Sequence, residues 1–214
     1  MIEGKISLDE FIVLVGSVAR SDFFKESDID VCRINCYSEV DRRSEWPNGP
    51  ISYIDYELDV FKHLFNAGSL FIYHLLFEGV LLEGDIKRWN YFKSQFVLKC
   101  DFSEEINKIK EIMCIFNKVD IFGNHYMSLF SNLFINIKNF SIFYLASNGR
   151  FVFNKKQAIK YVFGDYYLDL LFDSYNQFER GIISNHWNYD RRKKAEEIIE
   201  YYQSKMEELS NVTY

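Results

Sequence analysis

Gly16-Ser17-Val18-Ala19-Arg20-Ser21-Asp22-Phe23-Phe24-Lys25-Glu26-Ser27-Asp28-Ile29-Asp30-Val31 is the stretch that decides the fold. An apolar, β-rich run, Phe11 to Val15, leads into its Gly-Ser. After ten intervening residues, 18–27, comes Asp28-Ile29-Asp30. This pattern predicts a strand, a tight turn into a short helix, and a second strand. Residues i and i+2 of a strand point to one face, so Asp28 and Asp30 project together while Ile29 and Val31 enter a core. Two neighbouring carboxylates repel unless a cation lies between them. A hard divalent ion such as Mg²⁺ accepts one or two carboxylates together with phosphate oxygens. Gly16 lets the backbone approach a phosphate, and Ser17 with the following helix start can donate hydrogen bonds to it.

The G-S-x10-D-x-D arrangement, with Ala19-Arg20 after the Gly-Ser and Ser27 before the first aspartate, resembles the nucleotidyltransferase superfamily of DNA polymerase β. Its minimal bacterial members are the nearest in pattern. Ser21 stands where those relatives commonly have glycine. The resemblance implies transfer of a nucleoside monophosphate from ATP or another nucleoside triphosphate, with Mg²⁺ or Mn²⁺. Asp28 and Asp30 would hold the metal, Gly16 and Ser17 the phosphates, and Arg20 and Lys25 would add charge there. A third carboxylate on the neighbouring strand is part of the family pattern. Asp55, within Ile51-Ser52-Tyr53-Ile54-Asp55-Tyr56, is the first choice, as catalytic group and metal ligand. Asp59 follows the strand, and Ser52 can equally hold the equivalent place, leaving no third carboxylate. Strand parity does not decide, because both faces of that segment are mixed.

Outward from this motif, the chain has 214 residues, 48 % of them hydrophobic and 18 % aromatic, enough for a sizeable core. Two prolines in the whole chain suit a helix-rich protein. A net charge of −6 gives no global basic field for nucleic acid, and Arg191-Arg192-Lys193-Lys194 reads as a solvated helix start. Cys32, Cys36, Cys100 and Cys114 lack zinc-ligand spacing and read as reduced thiols, mostly core. No apolar run reaches the ~18 residues needed to cross a bilayer, and the N-terminus has no signal-peptide pattern. A cytoplasmic protein is expected, with no membrane partner.

Strands are expected at 11–17, 28–35, 51–56 and 78–85, with a short helix at 18–26 and a mobile polar loop at 36–49. The apolar spacing from Leu58 to Phe77 is helical, interrupted at Gly68-Ser69. Residues 102–121, 125–147, 155–163, 166–182 and 190–209 read as helices. The expectation is α+β: a small mixed sheet with flanking helices at 1–90, a catalytic domain, then an all-helical domain at 91–214. The helical part would bind the acceptor, wall the active site, or mediate homo-oligomers or a partner protein.

Several other residues admit a functional reading beside a plainer structural one. His63 and His74 lie among Phe and Leu and read as core or capping histidines. Trp89, Tyr91 and Phe92 can stack a base, but packing at a domain junction accounts for them. Arg180-x5-His186 has the spacing of HEPN ribonucleases, which chance also supplies. The resemblance implies a protein or tRNA acceptor in a toxin–antitoxin or phage-defence setting. Alternatives are an antibiotic acceptor of aminoglycoside or lincosamide type, and a catalytically impaired nucleotide-binding subunit.

Overall fold

The computed structural model describes residues 9–117, 125–182 and 191–210. They fall into two compact units, divided after Lys99. The first holds β1 (Phe11–Val15), α1 (Gly16–Ala19), β2 (Ile29–Ile34), β3 (Ile51–Tyr56), α2 (Leu58–Asn66), α3 (Leu70–Phe77), β4 (Val80–Gly84) and α4 (Ile86–Gln95). Its four strands form one mixed sheet in the order β3–β2–β1–β4. β1 runs antiparallel to both β2 and β4, while β2 and β3 are parallel.

Alternation along β1 and β2 builds two cores. Phe11, Val13, Val15, Cys32 and Ile34 pack on one face against Phe61, Ile72, Leu75, Leu76, Trp89 and Phe92 from α2, α3 and α4. Ile12, Leu14, Ile29 and Val31 pack on the other face with Val18 and Trp46. Trp89 is therefore core of the sheet unit itself, 5.2 Å from the Phe11 ring. The helical run from Leu58 breaks in two at Gly68, whose φ of +64° is costly for any residue with a Cβ. Gly68 also lies under the chain at 97–99 and accepts a hydrogen bond from Lys99 N. That contact keeps α4 and the residues after it with the sheet, past the division expected near residue 90.

Two local expectations differ from the structure. The helix expected at 18–26 starts at Gly16 and ends at Ala19, because Ser21 adopts φ +61°. That backbone explains why glycine suits this position. The polar segment 36–49, expected to be mobile, is held at several points. Arg33 Nη1 donates to the Tyr37 and Ser38 carbonyls, and Val40 N donates to Tyr53 Oη at 2.9 Å. Arg42 caps the Pro47 and Gly49 carbonyls, and Trp46 is buried.

The second unit is helical: α5 (Ser103–Met113), a 3₁₀ turn (Cys114–Asn117), α6 (Tyr126–Ser147), α7 (Lys155–Phe163), α8 (Leu168–Arg180) and α9 (Arg191–Ser210). α6 is apolar nearly all round, as a central helix must be. Leu129, Phe130, Leu133, Phe134, Ile137 and Phe140 meet residues of α5, α7, α8 and α9. Architecture is thus α+β, a four-stranded mixed sheet with flanking helices followed by a helical region. Cys32 is buried but Cys100 and Cys114 are exposed, against the expectation of mostly core thiols. Burial pushes the Cys32 thiol up to about 12, so it is inert as a thiolate source. Among the described residues no helix is long and apolar enough to cross a membrane. His186 of the Arg180-x5-His186 spacing lies outside the described residues.

Candidate functional site

The turn from β1 into α1 and the start of β2 meet at one end of the sheet. Val15 pairs with Asp30 in the last register pair of β1 and β2. Gly16 follows with φ +72°, and a Cβ built there would lie 2.5 Å from Asp30 Oδ2. Glycine is required twice, for the backbone conformation and for room beside the carboxylate. Ser17 follows, half-buried, and its carbonyl accepts from Asp22 N.

Asp28 stands one residue before β2, and both it and Asp30 are half-buried. Ser27 closes the turn that delivers Asp28: Phe24 N donates to Ser27 Oγ at 2.8 Å and Ser27 N to the Phe24 carbonyl at 3.0 Å. Ile29 N then donates to the Pro50 carbonyl, joining the β2 start to the β3 start. A serine before the D-x-D thus has a structural purpose. Lys25 is exposed in this turn, and its carbonyl accepts from Asn48 N.

Arg20, at the end of α1, keeps its backbone on the Gly16 carbonyl. Its Nε donates to Asp22 Oδ2 at 3.2 Å, and Nη1 lies 3.7 Å from Glu78 Oε2. Glu78 also takes His74 Nδ1 at 3.0 Å. His74 is buried, while His63 is exposed. Leu14 pairs with Val80, so Glu78 approaches the same end of the sheet as Gly16.

The β2–β3 register separates the candidates for a third carboxylate. Asp30 pairs with Ser52, and Arg33 with Asp55. Three residues apart on a strand means opposite faces, so Asp55 lies on the face away from Asp30. There it forms a two-pronged bridge to Arg33, 2.6 Å to Nε and 2.8 Å to Nη2. Arg33 stacks 3.9 Å over the Tyr53 ring. The guanidinium hydrogen bond holds the Asp55 carboxyl below its ordinary value and the Arg33 charge firmly in place. Asp59 lies beyond β3, in the first turn of α2. Among the described residues no group of three or more His, Cys, Asp or Glu is placed to hold a metal.

Two carboxylates and the space left by the missing Gly16 Cβ fit a hard cation that takes its remaining ligands from phosphate oxygens and water. Sequence reasoning missed Arg33. Its signal is a lone arginine in an apolar strand, which demands an acid as partner.

Residues 3–122 match the family model of the nucleotidyltransferase domain. No curated protein matches the chain. The family match spans more than half of the sequence, and the chain belongs to this family.

Proposed function

We propose that this nucleotidyltransferase transfers a nucleoside monophosphate, AMP from ATP, to a hydroxyl of a protein or tRNA acceptor in a toxin–antitoxin or phage-defence system. The observation that carries the reading is the close approach of the glycine turn to Asp30, since a phosphate chain and a cation need that space. Asp28 and Asp30 would hold Mg²⁺ or Mn²⁺, which when bound neutralises triphosphate oxygens and the charge developing at the α-phosphorus. Ser17 Oγ and the amides of the Gly16 turn hold the phosphates. Arg20 offers guanidinium donors beyond those used on Asp22 and Glu78, and Lys25 adds charge from the turn. The acceptor oxygen bonds to the α-phosphorus, the α–β anhydride breaks, and pyrophosphate leaves. Holding both reactants in line supplies much of the rate. The choice of a macromolecular acceptor rests on the resemblance to the minimal bacterial members.

One observation favours a second reading. Ser52, a weak base, is the β3 residue that pairs with Asp30, and Asp55 is engaged by Arg33, so a carboxylate to take the acceptor proton is not supplied from β3 beside Asp30. A nucleotide-binding subunit with slow transfer fits that arrangement. The test is incubation of the full chain with α-labelled ATP and Mg²⁺ against cell protein, tRNA and an aminoglycoside. Label on protein or tRNA, absent with Asp28→Asn/Asp30→Asn, supports the first reading. Label on the aminoglycoside moves the acceptor to a small molecule. Metal-dependent ATP binding without transfer selects the second reading. No metal-dependent nucleotide binding overturns both.

A further inference from the structure

The end of α3 supplies an acid to which the transferase reading gives no task. Glu78 follows α3 directly, four residues after His74. One oxygen of its carboxylate, Oε2, lies 3.0 Å from His74 Nδ1 and 3.7 Å from Arg20 Nη1. A carboxylate only accepts, so Nδ1 of the buried His74 carries the proton and donates. The backbone beneath is fixed on both sides. The Glu78 and Gly79 amides both donate to the His74 carbonyl, at 3.0 and 3.1 Å. Gly79 is packed so closely that a Cβ there would lie 2.3 Å from the Leu75 carbonyl oxygen and 2.8 Å from Val13 Cγ1. Val80 then pairs with Leu14 of β1. Glu78 therefore leaves a clamped backbone, and a buried ring holds its tip.

Arg20 is the opposite case. It closes a four-residue helix and carries a long side chain, whose ordering on a ligand costs entropy unless it is ordered beforehand. Asp22 accepts from its Nε at 3.2 Å, but Asp22 belongs to the same turn and moves with it. Glu78 comes from the α3–β4 connection and ties the guanidinium to a separate part of the sheet unit. Neither contact uses Nη2. The two possible effects of Glu78 on a phosphate have opposite signs. As a bare negative charge it repels phosphate, and its removal would tighten binding. As an anchor of Arg20 it favours phosphate, and its removal would weaken binding.

We propose that Glu78 is a positioning residue for the nucleotide, holding the Arg20 guanidinium with Nη2 left for the phosphates, and that His74 supports it; this role rests on the glycine turn and Asp30 being the nucleotide site. The test is calorimetry of the full chain with ATP and Mg²⁺. Glu78→Ala should weaken ATP about tenfold, close to the worth of one charge-assisted hydrogen bond. Glu78→Gln, which keeps a carbonyl acceptor, should recover most of that loss. In an Arg20→Met background, Glu78→Ala should add no further loss. His74→Leu should share the Glu78→Ala defect, and His74→Gln, which still donates, should relieve it. A second readout needs neither metal nor nucleotide. The Arg20 Nε–H signal, assigned by its absence in Arg20→Lys, should stand apart from the exposed arginines in a nitrogen-correlated NMR spectrum and merge with them in Glu78→Ala. Equal or tighter ATP binding by Glu78→Ala, or an undiminished loss in the Arg20→Met background, overturns the role while leaving the nucleotide site intact. Absence of metal-dependent ATP binding in the wild type is the separate failure of the nucleotide site, and it overturns this role as well.

Discussion

On the helix-covered face of the sheet, Asp30 lies in line with Cys32 and Ile34 and faces the glycine turn. On the loop-covered face, Arg33 meets Asp55 in a two-pronged bridge. Both faces place an acid on the same pair of parallel strands. The difference is what stands opposite. A carboxylate matched to a guanidinium is neutralised and has its lone pairs spent. Asp30 has interactions of its own but stands against a glycine backbone, where the proposed cation and phosphates would approach it. A sequence acid therefore says little about chemistry until its facing residue is known.

The strongest way to break this comparison is Asp30→Asn. Loss of an outer-shell partner alone costs a metal site about 10–100-fold, so loss of a direct ligand should cost at least about 100-fold in transfer. Circular dichroism should stay unchanged. Transfer at the normal rate would remove the metal role from this face.

Gly16→Ala comes next. The positive φ costs about 1–3 kcal/mol with a Cβ, and the methyl would press on Asp30. Urea denaturation and Mn²⁺ titration should both move. A stability loss with unaltered Mn²⁺ affinity would separate the turn from the metal.

Asp55→Asn sharpens the other side. With Asp55 about a third exposed, the expected loss is only about 1 kcal/mol, and transfer should hold within twofold. The Asp55 carboxyl is depressed in the folded state. Its stabilisation is therefore full above the ordinary value of 3.8 and is lost as pH falls through the lower folded value. Acid unfolding of wild type and variant should converge below that range. A large loss of transfer in Asp55→Asn would return this residue to the reaction.

Lys25→Met is the smallest change. An exposed lysine near phosphates should raise KM about two- to threefold, with kcat unaltered, and the effect should fade in high salt. No KM change at low salt would place Lys25 outside the phosphate field.

Much of this was readable in the chain. Gly16-Ser17 and Asp28-x-Asp30 mark β1, the turn and β2, since glycine and paired acids there have few other uses. The break at Gly68 was readable for the same steric reason. The third-carboxylate question was not. Ile51 to Tyr56 mixes polar and apolar residues on both faces, so only register decides it, and register depends on where the 35–50 connection ends. The fate of 36–49 was also hidden, because polar composition does not reveal arginines that bond to backbone carbonyls. In the helical unit, periodicity located the helices, because each buries an apolar stripe against α6.

The parallel pairing of β2 and β3 also shapes how the chain acquires its structure. Parallel strands require a long crossover, and here that crossover is a segment without a helix, residues 35–50. Its closure entropy must be met before the strand pair rewards it, as must that of β1 seeking β4 across α2 and α3. The helical unit, built from sequential helices, has no such delay. During synthesis, at about 5–20 residues per second, the slow sheet unit leaves the ribosome before the fast one. The order of the two units along the chain gives the sheet several seconds to find its register before the aromatic surfaces of α6 and its neighbours emerge beside it.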